Sequence, residues 1–334
     1  MDFSIVVPTF SRPDEVNELL TSLVKQQYGS FEVIIADGSL DDSVKKVVEK
    51  FSGIMELKYL NEKGLGISES RNWGAGMAIG DYVVFFDSDC IIPPQYFKVV
   101  SELLKKDPHD AWGGPDKAHA SFNSRQKAIS YAMTSFYTTG GIRGKKKHIG
   151  QYQPRSFNMG IRREVFNAIG SFSGLKVSED IDLSMRLYKN NYRVDLIEEA
   201  YVFHKRRSTF YRFFRQVFSF GSGRIDLQIK HGNALKPVHL LPAFFVIYLI
   251  GGFIAGLFSG GILMLWIASI IAYSVLICFD AIVQNRSLIV GLLSIYAAFI
   301  MLIGYGVGMM KAALLRFVFK SNKESEKPEI TKGT

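Results

Sequence analysis

Asp87 and Asp89 stand on either side of one serine at the end of the run "DYVVFFDSDC", residues 81–90. Two carboxylates held that close repel, which raises a pKa unless a cation sits between them, so the pair suggests a hard divalent ion with oxygen ligands. Further along, "VSEDIDLSMRL" (177–187) offers Glu179 and Asp180. A carboxylate within hydrogen-bond reach of a hydroxyl can take its proton as the oxygen attacks, which is general-base chemistry. Alone, the same S-E-D reads as the acidic first turn of a helix capped by Ser178. Asp37 in "IIADGS" is open to an equally plain reading, an Asx turn. His204, in "VFHKRR", reads as a structural histidine or as a ligand.

These side chains need elements to hold them. "SIVVPTF", "FEVIIADGS" and "DYVVFFDSD" are apolar, β-branched runs that end in polar punctuation, and helix-like segments such as "PDEVNELLTSLVKQQ" separate them. Strand and helix in alternation predict an α/β domain on a mostly parallel sheet. If the third strand continues through the acids, residues at i and i+2 share a face, and Asp87 and Asp89 point together at its carboxyl edge, where open α/β sheets bind ligands. Ser11, Pro13, Asp14 and Glu15 supply a cap and an acidic first turn for the first helix. Residues 112–200 are less regular and include the Gly- and Lys-rich loop "TTGGIRGKKKHIGQYQP".

Hydrophobic residues make up 48% of the 334, and the excess is concentrated after Pro237. Leu240 to Phe258, Gly260 to Phe279 and Leu288 to Met310 contain no Asp, Glu, Lys or Arg, and each approaches the roughly 20 residues a membrane-spanning helix needs. Three such stretches in succession rarely fit inside one small soluble core, so they predict membrane spans. Ser259 alone is too short a turn between the first two unless the helices shorten or their glycines bend. Gly252-x-x-x-Gly256 and Gly304-x-x-x-Gly308 permit close helix packing. Three full spans, the expected number, would leave the basic tail outside, against the positive-inside tendency, and a re-entrant third stretch is the alternative.

The start "MDFSIVVPTF" lacks the basic region and long apolar core of a signal peptide, which predicts a cytoplasmic N-terminal domain. Two cysteines, Cys90 and Cys278, give no disulfide framework. The net charge of +9 gathers in "GKKKH", in "HKRRSTFYRFFRQ" and in the tail. Basic residues interleaved with aromatics just before apolar helices read as a membrane-interface segment facing anionic headgroups, not as a nucleic-acid site. The expected organisation is a catalytic domain over 1–205, an interface segment over 206–236, membrane helices within 237–319 and a polar tail over 320–334.

Four elements, "VVPTFSR", "IIADGSLDDS", "GISESRNWGAGMAIGDYVVFFDSD" and "VSEDIDLSMRL", occur in an order and spacing that resemble glycosyltransferase family 2, from Ser4 to about His204. The resemblance implies a GT-A (Rossmann-like) α/β domain and a nucleotide-sugar donor, a UDP- or GDP-sugar, with Mg²⁺ or Mn²⁺ as cofactor. It places Pro8, Thr9 and Phe10 around the nucleotide, Asp37 at the base and Arg71 in contact with the nucleotide. Asp87 and Asp89 match the D-x-D motif, the second being the usual metal ligand. Asn158 and Gly160 match the segment lining the acceptor side, with Glu179 beside it. Asp180 matches the catalytic base, and His204 a histidine that approaches the metal or diphosphate.

The chemistry fits this grouping. A departing diphosphate needs its charge stabilised, and a single carboxylate acting through the acceptor implies one displacement and inversion at the anomeric carbon. Two departures from the pattern occur: Ala36 replaces the first acid of "DDGS", and "RQVFSFGSGR" keeps Gln216 but lacks the Arg-Trp of the processive Q-x-x-R-W motif. Transfer of one sugar to a hydroxyl of a lipid-linked or saccharide acceptor is therefore expected, by a multi-pass protein of the cell membrane. A polyprenyl-phosphate acceptor, already ionised, would need no base. Lys145 to Lys147 and Arg155 are candidates for a lipid phosphate. A catalytically dead membrane scaffold would be free to lose Asp37, Asp87, Asp89 and Asp180, yet all four are present. A transporter is disfavoured because the three stretches carry no ionisable group.

Overall fold

The computed structural model describes residues 2–117, 122–140, 151–175, 177–205 and 209–319. The Lys145–Lys147 run, Arg206 and the tail over 320–334 lie outside them. The chain divides into two units. The first comprises Met1–Ser130, Thr134–Gly174 and Glu179–Arg206, and the second Tyr131–Met133, Leu175–Ser178 and Arg207–Thr334.

In the first unit, strands and helices alternate as the apolar runs predict. The order is β1 (Phe3–Thr9), α1 (Pro13–Val24), β2 (Phe31–Asp37), α2 (Ser43–Glu49), β3 (Leu57–Asn61), α3 (Ile67–Gly76) and β4 (Tyr82–Phe86). There follow β5 (Cys90–Ile91), α4 (Tyr96–Lys106), β6 (Ala111–Gly113), β7 (Asp116–Lys117), α5 (Ser124–Thr134) and α6 (Phe136–Thr139). The unit closes with β8 (Asn158–Arg162), α7 (Arg163–Ala168), α8 (Glu179–Lys189), β9 (Val194–Leu196) and β10 (Val202–His204). Seven strands form one sheet in the order β3-β2-β1-β4-β8-β6-β9, parallel except where β8 pairs antiparallel with β4 and β6.

Side chains alternate between two cores, as a strand covered on both faces requires. Ile5, Val7, Ile35, Val84 and Phe86 pack with Val16, Leu19 and Leu20 of α1 on one side. Val6, Ile34, Val83 and Phe85 pack with Phe166, Leu183 and Leu187 on the other. The strand order reverses around β1 and β4, and the crevice at their carboxyl ends is where such sheets place ligands. A second sheet, β5-β10-β7, sets His204 opposite Cys90 in antiparallel register.

The second unit contains α9 (Phe210–His231), α10 (Pro237–Phe258), α11 (Gly260–Asn285), α12 (Leu288–Ala313) and a π-helical turn, Leu314–Val318. Three of its helices, Pro237–Phe258, Gly260–Asn285 and Leu288–Val318, are long and apolar enough to cross a membrane. The helices on either side of Ser259 do not shorten, which leaves the expected help of the glycines. This one extended residue (φ −150°, ψ 114°) does make the turn. Glycine lets it, because a Cβ on Gly252 would fall 2.1 Å from the Trp266 ring and one on Gly256 2.8 Å from Leu263, so α10 and α11 approach closely from the turn onwards. Gly304 and Gly308 serve another contact: their faces meet Val217 and the Phe218 carbonyl of α9.

Candidate active site

Strand β4 stops at Phe86, and Asp87 to Cys90 form a turn closed by the Cys90 N–H donating to the Asp87 carbonyl (3.1 Å). The i, i+2 geometry expected for Asp87 and Asp89 therefore does not apply, since it belongs to extended chain. Their carboxylates take different partners. Arg71 Nη2 donates to Asp87 Oδ1 (2.7 Å), whereas Arg12 Nη1 donates to Asp89 Oδ2 (3.1 Å).

Asp89 belongs with His204. The imidazole Nε2 lies 3.0 Å from Asp89 Oδ1, and its ring stacks on Phe157 at 4.5 Å between centroids. Asp89, Cys90 and His204 each offer a ligand atom within 4.8 Å of the others. The carboxylate oxygen suits Mg²⁺ or Mn²⁺, and the imidazole nitrogen beside it is accepted more readily by Mn²⁺ than by Mg²⁺, which prefers oxygen. Cys90 is the poor member, because burial and then the Asp89 and Asp87 carboxylates push its thiol upward and keep it protonated. Asp87, expected as a second ligand, is not in this cluster; its carboxylate is the one Arg71 holds.

Arg71 sits on α3 with its side chain only 1% exposed, and its second terminal nitrogen donates to Glu179 Oε1 (2.8 Å). One guanidinium thus ties the turn after β4 to the first residue of α8, and the ring of Phe172 lies 5.5 Å from its centre. Burial and the adjacent Asp180 carboxylate push Glu179 above the usual carboxylate range, while Arg71 draws it back. Asp180 is more accessible. Its Oδ1 accepts from the Ile181 N–H (2.7 Å), and Arg155 Nη1 approaches its Oδ2 at 3.7 Å.

Residues at the ends of β1 and β2 line the other side of the crevice. Asp37 is fully buried and makes the Asx turn: its Oδ1 accepts from the Ser39 N–H (2.9 Å) and hydroxyl, and its Oδ2 from the Tyr59 hydroxyl (2.7 Å). Phe10 is 50% exposed, Pro8 is buried, and the buried Thr9 hydroxyl has no hydrogen-bond partner among the described residues. Ser11 does not cap α1. It adopts φ +51°, its N–H donates to Ser39 Oγ (2.7 Å), and Arg12 takes the N-cap position.

Asn158 and Gly160, expected on the acceptor side, lie within the sheet on β8, between β4 and β6. Asn158 is 0% exposed, accepting from the Tyr96 hydroxyl (2.6 Å) and donating to the Ala200 carbonyl (2.8 Å). Gly160 leaves room for Trp112, whose ring a Cβ would meet at 2.1 Å. Both are packing residues of a central antiparallel strand.

The profile of the family described as Glycosyl transferase family 2 matches residues 4–170, half of the chain. The chain belongs to glycosyltransferase family 2. Among family relatives, an uncharacterized glycosyltransferase of Haemophilus influenzae is 37% identical over 106 residues, 32% of this chain and 35% of that protein. Succinoglycan biosynthesis protein ExoA of Rhizobium meliloti is 24% identical over 237 residues, covering 68% of this chain and 70% of its own. The chain thus spans about a third of the length of the first of these relatives. The fold agrees with that of the mannosyltransferase PcManGT from Pyrobaculum calidifontis, solved with GDP-Man and Mn²⁺. The TM-score is 0.66 at 15% identity, covering 93% of this chain and 86% of that one.

Within this family 2 domain, Arg12 and Tyr59 are the site residues that sequence reasoning missed. A basic residue straight after the first strand, in "FSRP", was the available signal for Arg12. Tyr59 carried none, because its reach to Asp37 depends on β2–β3 register.

Proposed function

We propose that this family 2 chain is a membrane-anchored, inverting glycosyltransferase that moves one sugar from a nucleoside-diphosphate sugar to an acceptor hydroxyl. The observation that carries this reading is the Arg71 bridge. It ties the Asp87–Asp89 turn to the helix that opens with Glu179 and Asp180, so the leaving-group side and the base side of a displacement share one buried guanidinium. Asp89 and His204 would hold Mg²⁺ or Mn²⁺, which stabilises the departing diphosphate when bound. Thr9, Phe10 and the loop ordered by Asp37 and Ser39 bind the nucleotide, and Pro8 fixes the strand end beneath it. Asp180 takes the proton of the acceptor hydroxyl as its oxygen attacks.

The base is that of UDP or GDP, the acceptor is lipid-linked or saccharide, and the catalytic domain faces the cytoplasm. A second reading has a specific observation behind it: Arg155, beside Asp180, suits a phosphate on the acceptor, and if that phosphate is itself the nucleophile no base is needed.

Purified protein in detergent, screened against UDP- and GDP-sugars with Mn²⁺, should melt higher with one nucleotide class and release its nucleoside diphosphate. Proton NMR of the product should show inverted anomeric configuration. No melting shift with any nucleotide sugar in Mn²⁺ or Mg²⁺ would sink the reading.

A further inference from the structure

The second unit contains two arrangements of helices that do not run the same way. α10 and α11 form a hairpin in which Gly256 meets Leu263, Gly252 meets Trp266, Tyr248 bonds Ser269, and Phe245 faces Tyr273. Continuing that pairing puts Pro242 level with about Leu276. α12 touches this hairpin at Gly291, against Ile282 and the Cys278 carbonyl, and at Gly306, against the Pro242 carbonyl and Val246. Between those two glycines α12 covers roughly 22 Å of its own axis, yet the groups they touch differ in height along the hairpin by only about 9 Å. α12 therefore crosses the hairpin steeply, near its open end. A third antiparallel span would instead carry Gly306 to the level of about Ile267, which is 43% exposed. Burial agrees, since the buried residues of α11 are Ile277 and Ala281, both near its C-terminal end.

α12 has a different companion. Phe210 packs on Tyr296 (4.7 Å), Gly304 on Val217, Gly308 on the Phe218 carbonyl, and Asp226 accepts from Arg316 Nε (3.2 Å). Both sequences ascend together, so α9 and α12 are parallel along almost the whole of α9. Phe213 and Val217, on the apolar face of α9, are covered by protein. What the pair exposes is two-sided: Arg212, Arg215 and Lys230 on α9, against Ile289, Leu292 and Tyr296 on α12. If α12 crossed a bilayer, α9 would carry its arginines through hydrocarbon beside it, at a high desolvation cost.

We infer that α9 and α12 form a docking surface that lies in one leaflet, α9 towards the headgroups and α12 towards the acyl chains, while α10 and α11 alone cross the membrane. This rests on the membrane reading above. The C-terminus then stays on the side from which the chain enters α9, as its lysines favour.

The test uses the full chain with an epitope appended after Thr334 and, separately, Ser259→Cys labelled with an impermeant maleimide, in right-side-out and inverted vesicles. Unsubstituted protein gives the labelling blank. The expected result is that the epitope is protected in right-side-out vesicles and digested in inverted ones, while the Ser259→Cys variant is labelled in right-side-out vesicles and protected in inverted ones. Epitope and maleimide label on the same side would establish three spans and overturn the inference, with the membrane reading intact. Release of the protein by alkaline carbonate would overturn both. Efficient disulfide cross-linking of Leu292→Cys between copies would put a second chain where the inference puts lipid, and would also overturn it.

Discussion

A folded Asp180→Asn protein is expected to bind donor and metal as the parent does and to transfer sugar about 10²-fold more slowly or worse, the scale of lost general-base assistance. The substitution keeps size and shape, and the amide oxygen can still accept from the Ile181 N–H as Asp180 Oδ1 does. Donor affinity and turnover, measured on the same preparation with its melting temperature, separate the two readings. An acceptor whose phosphate is the nucleophile arrives ionised, and its transferase should tolerate the change. Near-normal turnover would therefore move the assignment to the phosphate acceptor and give Arg155 the leading role beside it.

Arg71 should show the largest combined effect on stability and rate. Replacing it with Met leaves Asp87 and Glu179 facing each other without their shared cation, and losing one partner of a buried ion pair costs about 3–5 kcal/mol. Arg71→Lys is the sharper variant, because it keeps the charge but not the fork, and one ammonium cannot repeat both contacts of 2.7 and 2.8 Å. The resemblance assigns this residue to the nucleotide, whereas both of its terminal nitrogens are engaged by carboxylates. A positioning role predicts that Arg71→Lys lowers kcat at least ~10-fold with donor affinity nearly unchanged. Weakened donor affinity with kcat preserved would return Arg71 to the nucleotide.

Asp37, Asp87 and Asp89 are legible in the sequence as candidates because strand-end carboxylates stand out from the apolar runs before them, and β2 and β4 are such runs, buried along almost their full length. Their partners are less so. Arg12 meets Asp89 across 77 positions of sequence, a contact that exists because β1 and β4 are neighbours in the sheet. Asp37 reads as a ligand residue, yet its turn chemistry with Ser39 and Tyr59 uses both oxygens. Asn158 and Gly160 match a motif, but a motif does not report that β8 lies between β4 and β6, where side chains are buried. The apolar helices are plain from composition, and the direction of α12 is not, since hydropathy measures length and not angle.

Metal-dependent donor binding at Asp89 and His204 is the claim on which the proposed chemistry most directly stands. Titration calorimetry of the cognate nucleotide sugar, run in excess Mn²⁺ and again in EDTA, on the parent and on Asp89→Ala, measures it. Tight binding that needs Mn²⁺ in the parent, with most of that dependence lost in a folded Asp89→Ala protein, is the predicted result. Equal donor affinity in Mn²⁺ and in EDTA would contradict it, leaving Asp89 as no more than the partner of Arg12 and His204.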